Sequence, residues 1–399
     1  MSHNPVDAIW EHEAMHVART RLRARDAETV RTQIAISEIP APTGAEGRRA
    51  AEVARRFLAL GLAGVRTDPA GNVIGRRPGA HDEPPVVICA HLDTVFPEAV
   101  AVAVQRDGAR LVGPGIGDNG RGLAAMLALA DVLDGVRLRT RAPVDFVATV
   151  GEEGCGDLRG AKHLFSNGAR EARAAVILDG AGDERIVHRA LGSRRFRVTF
   201  RGAGGHSWTA YGTPNPVHAA ASAIARLATL PLPSRPRATL SVGRMGGGIA
   251  VNAIPEDGWL EVDVRSASPA YIDRLAREVV AAAHAAEHEE NARRAAGTPP
   301  LAMEITVIGS RPGGETAAEH PLVEAAARAT RLIGREPELA TASTDANVPI
   351  SLGIPAIAIG AGGRGGDAHT QTEWFENTDG ALGLARALGV VVAAAGLDG

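Results

Sequence analysis

Three observations predict an α/β protein whose larger domain is a mixed sheet with helices on both faces, interrupted by a smaller α+β sandwich. Apolar runs of strand length alternate with helical stretches over residues 1–190 and again over 304–399, the pattern of a sheet covered on both sides. Between them, over 191–303, the order becomes strand, helix, strand, strand, helix. A chain of 399 residues also exceeds one ordinary core, so two domains are expected.

The amino-terminal EHEAMHVARTRLRARDAETV is dense in charge and reads as an exposed amphipathic helix. His12, Glu13 and His16 spell H-E-x-x-H there, but a catalytic zinc needs a third protein ligand and a sheltered site. Loss of residues 1–20 is therefore expected to leave activity intact. Next, VVICAHLDTV is a buried strand delivering His91 to its end. With Leu92 turned inward, His91 and Asp93 leave the same face, so Asp93 can hold the second ring nitrogen of a metal-bound imidazole.

In GPGIGDNGRGLAAM, Gly115, Gly117 and Gly120 spell G-x-G-x-x-G ahead of a helix, which would suit a nicotinamide-dependent oxidoreductase. That motif needs a preceding strand and an acidic partner at the end of the next one. Only RLVG precedes here, and Asp131 and Asp134 fall inside the following helix. Asp118 instead sits in a tight glycine turn from which a carboxylate can bridge two cations. VDFVATVGEEG ends in Glu152 and Glu153; as extended neighbours they point to opposite sides, so one can ligate while the other moves a proton. AAVILDG is a further buried strand ending in Asp179, and IPAIAIGAGG feeds a glycine-rich loop ahead of His369 in DAHTQTEWF. The STDA segment, Ser343–Ala346, is similar to a turn of a known enzyme family, named below, and that resemblance implies that it opens the next helix with Ser343 or Thr344 as its cap.

The inserted stretch begins with SRRFRVTFRG, which puts Phe196, Val198 and Phe200 on one face and Arg195, Arg197, Thr199 and Arg201 on the other, a half-exposed antiparallel strand. A helix from Asn215 to Leu230, strands around ATLSVG and WLEVDVRS, and a long helix from near Ser268 complete it. Its hinges are placed near Leu191 and Glu304. The closing GLARALGVVVAAAG is too short and glycine-interrupted to span a bilayer and reads as a core helix.

HLDTV, GDNGRG, GEEG, ILDG and DAHTQTE, in this order and at these separations, resemble the dinuclear zinc metallopeptidase family that includes peptidase T, carboxypeptidase G, aminoacylase and acetylornithine deacetylase. Peptidase-T-like members are the nearest in character through SRRFRVTFRGAGGHSW and STDANVPISLGIPAIAIG. The resemblance covers nearly the whole chain. It implies that His91 and Asp179 hold one metal, that Glu153 and His369 hold the other, that Asp118 bridges them, and that Glu152 is the general base. The same resemblance implies a cis peptide bond after Asp118 and a lid or dimerisation role for the inserted domain. There His206 of GAGGHSW reaches a substrate oxygen, often across a dimer. Asn252 in VNAIP and Arg265 in LEVDVRS match binders of the substrate carbonyl and carboxylate, arginine offering a planar fork to both oxygens. Arg311 in GSRPGGE and the glycines of 360–366 are expected to border the same pocket.

The expected activity is metal-dependent hydrolysis of amide bonds in small substrates, with a di- or tripeptide aminopeptidase first and an N-acyl-amino-acid amidohydrolase second. Two divalent ions are expected roughly 3.5 Å apart; an all-nitrogen-and-oxygen ligand set makes zinc the default and admits manganese or cobalt. The formal net charge of −3 lacks the positive surplus of a nucleic-acid binder. Cys89 and Cys155 form no disulfide framework or C-x-x-C pair, and no basic-then-apolar leader opens the sequence. The expectation is a cytoplasmic homodimer without a nucleic-acid or membrane partner.

Overall fold

The computed structural model describes residues 5–136 and 138–398, and the chain divides into two compact units, Met1–Ala190 with Glu315–Gly399, and Leu191–Gly314. The return to the first unit falls one strand later than the hinge placed near Glu304. Residues Ala302–Arg311 form the edge strand of the inserted sheet, pairing with Gly192–Arg201 so that Ile305 lies opposite Val198. Its ITVIG run resembles a strand buried on both faces, yet most of its residues are half or fully exposed, as an edge strand allows.

The first unit is built on a nine-stranded mixed sheet whose centre runs Val144–Thr149, Val86–His91, Ala174–Leu178 and Ala356–Ile359. These four strands are mutually parallel and every residue in them is buried, which is why they read as unbroken apolar runs. Side chains alternate between two cores. Ile88 and Ala90 join Trp10, Met15, Leu129 and Leu388 on one side, while Val87 and Cys89 join Phe165, Ile177 and Val348 on the other. The helix Gly380–Ala395 lies within the first of these cores, and among the described residues no helix is long and apolar enough to cross a membrane.

The amino-terminal segment differs from its expected exposure. Val6, Ile9, Trp10, Met15, Ala18 and Leu22 are buried in the same core, so its charges cover only one face. The H-E-x-x-H residues are spent on local structure: His12 caps the helix Glu13–Ala24, accepting from the Ala14 N–H, and exposed His16 contacts Arg19.

In the second unit, a four-stranded antiparallel sheet runs in the order Ala238–Gly247, Asp257–Ser266, Gly192–Arg201, Ala302–Arg311. Phe196, Val198 and Phe200 pack with Leu260, Val262 and Val264 against Ala219, Ala223, Val279 and Ala283 of the helices Pro216–Ala228 and Pro269–Ala292. The opposite sheet face carries cross-strand pairs, Arg197 with Glu261 at 2.7 Å and Arg195 with Asp263 at 3.1 Å. Asn215 starts the first helix by accepting from the Val217 and His218 N–H groups ahead of Pro216.

Candidate active site

Parallel strands bring their carboxyl ends to one edge of the sheet, where α/β proteins place their sites. His91 ends one central strand, Asp179 follows Leu178 at the end of the next, and Glu152 and Glu153 follow Thr149 at the end of a third. All of this lies within the first unit. His91 Nε2 stands 2.9 Å from Asp118 Oδ1 and 3.8 Å from Asp179 Oδ1. His369 Nε2 stands 2.8 Å from Glu153 Oε1 and 3.2 Å from Asp118 Oδ2. Both imidazoles thus aim at one carboxylate from its two oxygens. Glu152 and Glu153 are both buried. His369 adopts the left-handed region at φ 67°, a conformation that costs a non-glycine residue about 1–3 kcal/mol and marks over-determined sites.

The loop presenting Asp118 is held from several sides. Glu373, itself buried, accepts the N–H groups of Gly115, Gly117 and Asp118 at 2.9, 2.8 and 2.7 Å. Gln33 donates to the Ile116 carbonyl at 2.7 Å. Asn119 donates to the Leu178 carbonyl at 2.8 Å and accepts from Gly180 N–H at 3.1 Å, joining the loop to the strand end that carries Asp179. Gly115, at φ 72°, has no room for a side chain, because an added Cβ would meet Thr94 at 2.7 Å. The Asp118–Asn119 peptide bond is cis, as the resemblance implies.

Asp93 works differently from the expectation. The Nδ1 atom of His91 meets the Asp93 backbone carbonyl at 3.0 Å, and the carboxylate lies farther away at 3.7 Å. The carboxylate instead accepts the N–H groups of Glu152 and Glu153, each at 2.9 Å, and the Thr43 hydroxyl at 2.9 Å. The backbone turns as the strand ends, so the carbonyl takes the place that period-two reasoning gave the side chain. The carbonyl still selects the tautomer that leaves Nε2 to face Asp118.

The charge balance favours cations. Burial alone would lower the His91 pKa, but Asp118 and Asp179 together raise it well above the usual histidine value. Hydrogen bonds to Asp118 and Glu153 push His369 up to about 10. Burial would raise Asp118, yet the two histidines hold it below the ordinary carboxylate range. Donor atoms of His91, Asp118 and Glu153 lie within 4.8 Å of one another. An all-nitrogen-and-oxygen set with one carboxylate facing two imidazoles fits a pair of divalent ions.

The inserted unit holds the remaining expected residues. Exposed His206 ends the short strand Gly205–His206, which pairs with Ala253–Ile254, and its Nδ1 accepts from Trp208 N–H at 3.2 Å. Asn252 precedes that partner strand and is exposed. Arg265 Nε lies 2.6 Å from Asp263 Oδ2, and Arg311 is buried at the end of its strand.

Several residues escaped the sequence reading. Glu373 lies within DAHTQTEWF, yet nothing local distinguishes a carboxylate that binds a loop some 250 residues earlier. Burial pushes it up to about 7 against the opposing pull of its N–H donors. Asp345, in STDA, accepts from the Thr149 hydroxyl at 2.5 Å beneath the site, and burial pushes it up to about 6. Neither Ser343 nor Thr344 caps the following helix, Asn347–Ser351, whose cap position is Ala346. Thr344 Oγ1 accepts the Ala346 N–H and Asn347 Oδ1 accepts the Thr344 N–H, closing a turn that leads into the cap. Gly360, Gly365 and Gly366 line the cavity beside Asp118 and Asp179.

A doubly covered sheet with histidines and carboxylates gathered at its carboxyl edge defines a metal-dependent hydrolase. Residues 87–392 match the peptidase family M20/M25/M40, and the chain belongs to that family. A probable carboxypeptidase of Aspergillus clavatus is 30% identical over 302 residues, 67% of this chain and 65% of the relative. The chain thus spans just under two thirds of that relative's length. Aminopeptidase PepT from Bacillus cereus is 24% identical with a TM-score of 0.74, covering 95% of this chain and 99% of that one. YXEP of Bacillus subtilis, described as a dinuclear metal binding peptidase of the M20 family, is 18% identical with a TM-score of 0.67 over 93% of this chain and 98% of its own. These structural likenesses concern the fold.

Proposed function

We propose that the protein hydrolyses amide bonds of small substrates, di- and tripeptides first, acting as an aminopeptidase. The observation that carries this is the convergence of His91 and His369 on the two oxygens of Asp118, with Glu153 and Asp179 beside them. His91 and Asp179 would hold one divalent ion, Glu153 and His369 the other, and Asp118 both; zinc is the default, with manganese or cobalt also suited to the ligand set. When bound, such ions polarise the scissile carbonyl and lower the pKa of water.

Glu152 takes the proton of the attacking water and returns it to the departing amine. Asp93 orients both glutamates through their backbone N–H groups. His206 donates to the developing oxyanion, Asn252 to the substrate carbonyl, and Arg265 and Arg311 serve the carboxylate side. His206 acts within its own chain or from the partner of a homodimer. The homodimer is supported by apolar side chains left in solvent around His206 and Asn252, namely Trp208, Tyr211, Ile249 and Val251.

A second reading, an N-acyl-amino-acid amidohydrolase, is favoured by one feature of the cavity beside Asp118. Among the described residues its acidic lining consists of Asp118, Asp179 and Glu373. Two are assigned to metal and the third holds three N–H groups, so none is left for a free ammonium. Hydrolysis of alanyl-leucine against N-acetyl-leucine by the metal-loaded protein decides between the readings. Cleavage of neither would reject both.

A further inference from the structure

The same cavity, about 420 Å³ in volume, has one cationic residue in its lining among the described residues, Arg185. Its position follows from the topology. Ala356–Ile359 runs parallel to Ala174–Leu178, with Ile359 opposite Leu178, and antiparallel to Arg185–Ala190, with Ile359 opposite Ile186. The first residue of that antiparallel strand therefore stands at the same sheet edge as Asp179. The Arg185 carbonyl accepts from Arg386 Nη2 at 2.8 Å, which anchors the backbone there. Exposed Arg185 lines this cavity and also a neighbouring one that Asp183, Glu184 and Glu338 border, and no hydrogen bond or ion pair among the described residues engages its guanidinium.

Resting on the amide-hydrolase reading, we propose that Arg185 receives a carboxylate of the substrate, so that the protein takes substrates carrying an anionic group beside the scissile amide. Glycines, Val187, Ala358, Ser343, Thr344 and Trp374 are also part of the cavity wall. A guanidinium in such a setting offers a planar two-point donor to a carboxylate. The carboxylate comes either from the leaving amino acid or from a dicarboxylic acyl group, and the two sources are separable.

The test compares wild type, Arg185→Gln and Arg185→Glu as metal-loaded full-length chains on N-acetyl-leucine, N-succinyl-leucine amide and N-acetyl-leucine amide. The expected result is a KM for the matching carboxylated substrate that rises about 10- to 100-fold more than the KM for the uncharged amide, the scale of a lost charged hydrogen bond. Arg185→Glu should have the larger effect, and kcat should move little. A rise confined to N-acetyl-leucine places the carboxylate on the leaving residue; one confined to the succinyl compound places it on the acyl group. KM ratios unchanged by both substitutions would overturn the proposal. If wild type cleaves none of the three, calorimetric titration with N-acetyl-leucine and succinate judges Arg185, and the amide-hydrolase reading itself fails only if alanyl-leucine also goes uncleaved. Binding lost in Arg185→Gln supports the carboxylate subsite, whereas equal binding, or none by wild type, overturns it.

Discussion

Replacing Glu373 by Gln tests whether a carboxylate far along the chain sets the geometry of Asp118. The Oε1 atom accepts from Gly117 and Asp118, and Oε2 accepts from Gly115. A glutamine has one carbonyl oxygen, so in its better orientation it keeps two of these bonds and turns an NH₂ group toward the Gly115 N–H. One buried charged hydrogen bond is lost and one donor left facing another, at about 2–3 kcal/mol. That is a large part of a typical stability of roughly 5–15 kcal/mol. The Asp118 backbone would shift with the loop, and loss of such a supporting bond typically lowers metal affinity about 10- to 100-fold. Guanidinium unfolding of the chelated protein and competitive zinc titration with a chromophoric chelator read the two quantities. Wild-type values in both would refute the idea that Glu373 positions the bridging carboxylate.

Four further outcomes are expected. Glu152→Gln should retain both metals by elemental analysis while turnover falls roughly 100-fold or more; loss of metal would make it a ligand instead. His206→Ala should depress turnover at unchanged metal content by an amount near that of one oxyanion donor, about 3 kcal/mol, and a wild-type rate would leave it a turn residue. Asp345 has a folded pKa raised from 3.8 to about 6 by burial, so its ionisation costs the chelated protein stability as pH rises through that interval. The Tm advantage of Asp345→Asn should therefore grow between pH 4 and pH 7, and a pH-independent difference would contradict this. Deleting residues 1–24 should lower Tm strongly or abolish soluble expression, because Val6, Ile9, Trp10, Met15, Ala18 and Leu22 leave the core; an unchanged Tm would show the segment to be dispensable.

The sequence by itself determined the features that are local in the chain. Buried parallel strands announce themselves as apolar runs because both faces are covered, and the residue following each run is carried to the sheet edge. His91, Glu152, Glu153 and Asp179 were legible for that reason, as was the alternation of Phe196, Val198 and Phe200 in the inserted sheet. Tertiary structure decided what depends on partners distant in sequence. An edge strand of mixed polarity placed the return crossing beyond Arg311, and a charge-rich amino-terminal helix hid one apolar face in the core. The turn after His91 gave its ring to a carbonyl and freed the Asp93 carboxylate to hold two glutamate N–H groups. Glu373 and Arg185 gain their surroundings from loops and strands that only the folded sheet brings together. Hydrogen bonds and charge depend on distance in space, whereas periodicity records only the order of burial along the chain.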